Sequence, residues 1–270
     1  MDWVALSAYG AGGAVGGLAG WLSGRRFPRW RFELRTGAFI CGLLLAGALA
    51  VPRLRDGTAR AELRAAGMEL FGDAASADHY VHRLFPIRKD PRLADRAHAI
   101  AARLTPGRPV GGSLAAVTYA GMARLSLPEL ESSLAVRRRL ADSSPAVCAG
   151  LWKGGMSSGD LAAALRNLSS EDKRRWIDIT ARATTLELAA DDPPAAISNM
   201  QAGLAWSILL ARLPESSRAV VQRASKSGAS ASPDDACAAF RIVASEAAAL
   251  SADARDTLVR VVTCPFLVRG

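Results

Sequence analysis

The chain begins with two apolar stretches that carry no charge, at residues 3–24 and 36–52. As a helix, the first stretch would extend roughly 33 Å, enough to cross the ~30 Å hydrocarbon core of a bilayer. The second, 17 residues long, is near the lower length limit for a membrane span. We therefore predict that residues 1–52 form a hairpin of two transmembrane helices. The alternative, a pair of buried helices in a soluble protein, would normally show a polar stripe, which the first stretch lacks.

Glycines recur along one side of the first predicted span. Gly12 with Gly16 and Gly13 with Gly17 are pairs four residues apart, and Gly20 extends the pattern. Such spacing removes side chains from one helix face and favours close helix packing in lipid. The packing partner is either the second span or another copy of the chain. The alternative is that these glycines are simply tolerated, as glycine is in membrane helices.

The loop between the two predicted spans holds five arginines in eleven residues. They are Arg25, Arg26, Arg29, Arg31 and Arg35. Because short basic loops stay on the cytoplasmic side, this loop is predicted to be inside and both termini outside. In a Gram-negative bacterium, the chain would then be anchored in the inner membrane with its helical domain in the periplasm. Arginines just after the second span, at 53, 55, 60 and 64, oppose this orientation.

Beyond the hairpin, apolar residues recur at intervals of three and four, and no segment alternates with a period of two. This pattern predicts helices throughout. They are expected near 59–71, 76–86, 90–104, 113–125, 128–141, 145–152, 158–167, 170–190, 194–211, 215–225, 233–249 and 252–262. The predicted fold class is all-α, with the transmembrane hairpin followed by a multi-helix bundle or a helical-hairpin array.

A stretch rich in proline and glycine at 105–112 is the best internal boundary. It separates a membrane-proximal helical segment, 53–105, from a helical domain, 113–270. The second is long enough to bury a core of its own. Residues predicted for that core include Leu125, Leu134, Trp152, Leu165, Ile177, Leu188, Leu204, Trp206 and Leu209.

The net charge of +9 and the pI near 10.1 raise the question of nucleic-acid binding. Much of the basic excess lies in the hairpin loop. Elsewhere basic residues alternate with acidic ones, and no basic stripe is interleaved with aromatic residues. The pattern therefore argues against a nucleic-acid partner.

Three cysteines lie beyond the hairpin: Cys148, Cys237 and Cys264. An oxidising compartment would allow one disulfide among them. Cys148 and Cys237 both lie near the start of a predicted helix, each shortly after a Ser-Pro pair, and this similarity favours pairing the two. The alternative is three buried thiols. Close cysteine pairs of the kind found in structural zinc sites do not occur.

All three histidines lie within one window of twenty residues, at His79, His82 and His98. The first two are three apart, on one face of a predicted helix, and Asp95 is three residues before the third. Two histidines with a third histidine or an aspartate form a legitimate divalent-metal set. The alternative is a group of surface side chains near the membrane.

No motif for a nucleophile, a phosphate-binding loop or a zinc protease occurs in the chain. Two functional hypotheses remain. The favoured one is a non-catalytic binding or assembly component of the bacterial envelope, whose partners are the lipid bilayer and another envelope protein or a second copy of the chain. The alternative is a metal-dependent enzyme or metal-binding factor that uses His79, His82 and His98. No other cofactor is expected.

Overall fold

The computed structural model describes residues 51–104, 114–153, 157–264 and 267–269. The predicted hairpin, with its glycines and its arginine loop, lies outside these residues except for positions 51 and 52, and the boundary at 105–112 also lies outside them. In the part of the chain that is described, no helix combines the length and the apolar character needed to cross a bilayer.

The all-α fold class is confirmed, since helices account for most of the described residues. The helices are α1 Val51–Phe71, α2 Ala74–Arg88, α3 Arg92–Leu104, α4 Leu114–Met122, α5 Leu127–Ala141, α6 Pro145–Lys153, α7 Ser158–Arg166, α8 Ser170–Ala189, α9 Asn199–Arg212, α10 Glu215–Ser227, α11 Pro233–Glu246 and α12 Ala252–Thr263. Short 3₁₀ turns occupy Gly228–Ser230 and Ala247–Ala249. Two-residue strands, β1 Ile197–Ser198 and β2 Val268–Arg269, pair in parallel, with Ile197 opposite Val268.

The chain divides between Leu63 and Arg64 into two compact units. Of the first unit, the structure describes residues 51–63, which form the first part of α1. We predicted that this helix begins near residue 59, and that start is wrong. Gly57 lies inside the helix, where one glycine costs only about 1 kcal/mol.

Polar side chains at the helix starts explain several of the boundaries. The Ser169 hydroxyl accepts a hydrogen bond from the backbone N–H of Asp172 at 3.1 Å, and Ser232 caps α11 in the same way through Asp235. Such caps satisfy N–H groups that have no partner within the helix. The predicted start of α9 at 194 is wrong, because Pro193, Pro194 and β1 precede the helix and Ser198 is its cap.

In the second unit, helices far apart in the sequence pack against each other. The α4–α8 and α6–α11 pairs are the most extensive, and α5 contacts α6, α8, α11 and α12. Gly121 lets α4 approach α8 closely, because a Cβ atom at this position would collide with the backbone carbonyl of Ala183. Small residues at such crossings bring helix backbones together.

The largest buried cluster lies among α5, α6 and the last four helices. Its fully buried side chains include Leu130, Leu209, Phe240 and Leu258. Leu204 was also predicted for the core, but it is 60% exposed, so that prediction is wrong. The buried side of α9 consists instead of Ala202, Ala205 and Leu209.

One buried ion network lies where α3, α4 and α8 meet. Glu187 is completely buried, and its carboxylate accepts hydrogen bonds from Arg96 Nε at 3.0 Å and Arg124 Nε at 2.6 Å. Nearby, the hydroxyls of Thr118 and Thr184 are 2.7 Å apart. A buried carboxylate is tolerated only when partners of this kind compensate for its lost hydration.

Candidate functional site

The cysteines paired on sequence grounds lie on two helices that pack closely. Cys148 in α6 and Cys237 in α11 form a disulfide, with Cα atoms 4.9 Å apart and a sequence separation of 89. Cys148 is buried and Cys237 is partly buried. The bond ties α6 to α11, in the middle of the largest core cluster.

Cys264, the third cysteine beyond the hairpin, is a free thiol that is fully buried at the end of α12. Burial raises the pKa of this thiol, and the hydrogen bond to Thr263 and the charges of Arg137 and Arg260 only partly offset the increase. The group therefore stays protonated near neutral pH, which makes it a poor nucleophile.

The three histidines proposed as metal ligands are not brought together. Nε2 of His79, on α2, lies 3.1 Å from the carboxylate of Asp178. His82 on α2 and His98 on α3 are exposed. Among the described residues, no three histidine, cysteine, aspartate or glutamate side chains lie close enough to hold a metal ion. The metal hypothesis therefore has no geometric support in this part of the chain.

The start and the end of helix α9 are both fixed by side chains. At the start, the Ser198 hydroxyl accepts from the backbone N–H of Gln201, and the Gln201 side chain accepts from the backbone N–H of Ser198. At the end, Arg218 donates to the carbonyls of Leu210 and Leu213 at 2.8 and 3.0 Å. These hydrogen bonds stabilise both ends of the helix.

The outer side of α9 is apolar and exposed. Met200 is 83% exposed and Leu204 is 60% exposed. Gly203, Ser207 and Ala211 are exposed on the same side, since the five positions are spaced by the three- and four-residue steps of a helix. Apart from its chain neighbours and the backbone of its own helix turn, no atom lies within 4 Å of the position that a Cβ on Gly203 would occupy. We call these five residues the α9 face.

A groove of about 630 Å³ adjoins the α9 face, between α9 and α10. Trp206 and Leu210 form its apolar wall, while Gln222, Ser225 and Lys226 line the α10 side. The Trp206 ring is fixed by an edge-on contact with Trp152, at a centroid distance of 6.1 Å. An apolar helix face next to a preformed groove can receive a side chain from a partner.

The α9 face was not predicted from the sequence, although the chain contains a signal for it. Residues 199–211 include no ionisable side chain. A helix that is apolar all round is either buried on every side or leaves an apolar surface for another molecule. We assigned Leu204 to the core from periodicity alone. Periodicity does not show which sides of a helix are covered by neighbouring helices.

No protein-family model, curated protein or solved structure matches the chain.

Proposed function

We propose that this chain is a non-catalytic binding and assembly component of the bacterial envelope. Its N-terminal hairpin anchors it in the inner membrane, and its helical domain binds another envelope protein or a second copy of the chain. The observation that carries the proposal is the α9 face, which exposes Met200 and Leu204. Neighbouring exposed apolar side chains on a helix face can mark an interaction site.

The shape and charge of this surface favour a protein partner. The α9 face is uncharged, and such a surface offers little to a small polar substrate. A partner helix packed along it would bury Met200 and Leu204 and could place a side chain in the groove beside Trp206. Gly203 adds room for close approach of that helix. This arrangement corresponds to helix-in-groove recognition.

The proposed location rests on the apolar stretches and on the arginine loop. The Cys148–Cys237 disulfide supports it, because disulfides persist in oxidising compartments such as the periplasm and are rare in the cytosol. An outward-facing domain would be positioned to bind neighbouring envelope proteins.

Photo-crosslinking in intact cells tests the proposal. A benzophenone amino acid at Met200 should yield a crosslinked adduct, while the same group at the exposed Ala163 of α7 should not. An adduct of twice the 28.3 kDa chain identifies a second copy, and another mass identifies a different envelope protein. Leu204→Glu should abolish the adduct, while Ala163→Glu should leave it unchanged. Absence of an adduct at Met200, or equal adducts at both positions, would contradict the proposal.

A further inference from the structure

A second surface, distinct from the α9 face, is a cleft of about 620 Å³ between α5 and α8. Its apolar floor is formed by Leu125, Pro128 and Ile179. Its rim is charged. Four arginines contribute to that rim, Arg83, Arg174, Arg175 and Arg182. Residues of α9 do not line it, so its occupant is independent of the function proposed above.

Three carboxylates share the rim with these arginines, and each is paired with one of them. The pairs and their N···O distances are Arg83–Asp178 at 2.8 Å, Arg175–Glu171 at 2.6 Å and Arg182–Glu129 at 3.3 Å. Asp178 and Glu171 are 47% and 77% exposed. The ion pairs are therefore open to water and can exchange partners at low cost.

Arg174 is the fourth arginine of the rim. Its side chain is exposed, and among the described residues it has neither an ion pair nor a hydrogen bond. It gives the rim one positive charge in excess of the carboxylates. A guanidinium group binds a carboxylate through two parallel hydrogen bonds, so Arg174 is ready to accept an anionic group of a ligand.

The mixture of charges limits the class of ligand. A nucleic acid or an anionic membrane carries closely spaced negative charges, which the three carboxylates of the rim would repel. A single small anion would leave the apolar floor uncovered. A peptide segment with a few acidic residues suits both the charged rim and the apolar floor. Its carboxylate can bind the unpaired arginine while an apolar side chain covers the floor.

We propose that the cleft between α5 and α8 binds an acidic peptide segment of a partner protein. A carboxylate of that segment binds Arg174, and an apolar side chain rests on Pro128 and Ile179. The cleft volume lies in the roughly 300–1,000 Å³ range of ligand sites. The segment can lie along α8, where the charged rim residues recur at helical spacing.

The test uses the full chain in detergent and a short fluorescent peptide that carries two glutamates among leucines and serines, with a glutamine version as the neutral control. The glutamate peptide should bind more tightly, and its binding should weaken as the salt concentration rises. Arg174→Gln should weaken binding about fivefold to tenfold. Arg212→Gln is the matched control, because it removes an exposed arginine from α9, away from the cleft, and should leave the affinity unchanged.

Charge reversal gives a gain of function. The Arg174→Glu variant should no longer bind the glutamate peptide. It should instead bind the same peptide with lysine in place of glutamate. Equal affinities of the Arg174→Gln and Arg212→Gln variants would overturn the proposal, as would equal binding of the glutamate and glutamine peptides or no binding. Displacement of the peptide by inorganic phosphate or by phosphatidylglycerol vesicles would overturn the peptide assignment and indicate a simple anion site.

Discussion

Removal of the Cys148–Cys237 disulfide should lower the free energy of unfolding of the helical domain. The size of the loss depends on the length of the loop that the disulfide closes. The bond closes a loop of 89 residues, for which the chain-entropy model gives about 4.6 kcal/mol at 25 °C. For a unit of about 200 residues, this corresponds to a fall in Tm of about 10 °C. The substitution of choice is Cys237→Ala, because Cys237 is partly buried while Cys148 is fully buried.

The assay is thermal unfolding of the full chain in detergent, followed by circular dichroism, with and without a reductant. Without reductant, Cys237→Ala should melt about 10 °C below the natural protein. With reductant, the two should melt together. Cys264→Ala is the control, since Cys264 is a free thiol and its loss should be insensitive to reductant. A natural protein whose Tm does not respond to reductant would refute the reasoning.

Four further substitutions test the packing and charges of the domain. Glu187→Gln should cost about 3 kcal/mol or more in urea unfolding, because it leaves two partly buried arginines without a charged partner. Gly121→Ala should destabilise by about 1–3 kcal/mol, whereas Gly203→Ala, in open space, should stabilise by about 0.5–1 kcal/mol. Equal effects of Gly121→Ala and Gly203→Ala would count against the close approach of α4 to α8 at Gly121. A hydrogen bond from Lys173 holds the pKa of Asp73 below its ordinary value. The pair therefore stabilises the folded state above about pH 4, and this contribution is lost as the pH falls through the lowered pKa. Asp73→Asn keeps the helix cap and should reduce the fall in unfolding free energy at acid pH by less than about 1 kcal/mol, since Asp73 is 38% exposed. A variant whose acid unfolding matches that of the natural protein would refute this.

The helices were predictable because the chain marks their ends with local chemistry. Pro193 and Pro194 and the caps at Ser169 and Ser232 are encoded within a few residues of the boundaries that they set. The start of α1 was missed because no proline close to residue 59 marks a boundary, and the helix continues through Gly57. Local rules of this kind determine where helices lie, and they leave open how the helices pack.

The surfaces that carry the proposals depend on contacts between distant parts of the chain. The cleft brings Arg83 of α2 to Asp178 of α8, and Glu129 of α5 to Arg182 of α8. No local pattern predicts such pairs. The Cys148–Cys237 pairing was accessible because both cysteines have the same position near a helix start, whereas the exposure of Leu204 depends on which helices cover α9.

The central claim is that the hairpin anchors a helical domain outside the cytoplasm, and protease treatment of intact spheroplasts tests it most directly. If the claim is correct, the chain sediments with the spheroplasts, and added protease digests the domain after residue 64 while a cytoplasmic marker stays intact. A domain that is protected until the spheroplasts are lysed, or a chain released into the soluble fraction, would contradict it.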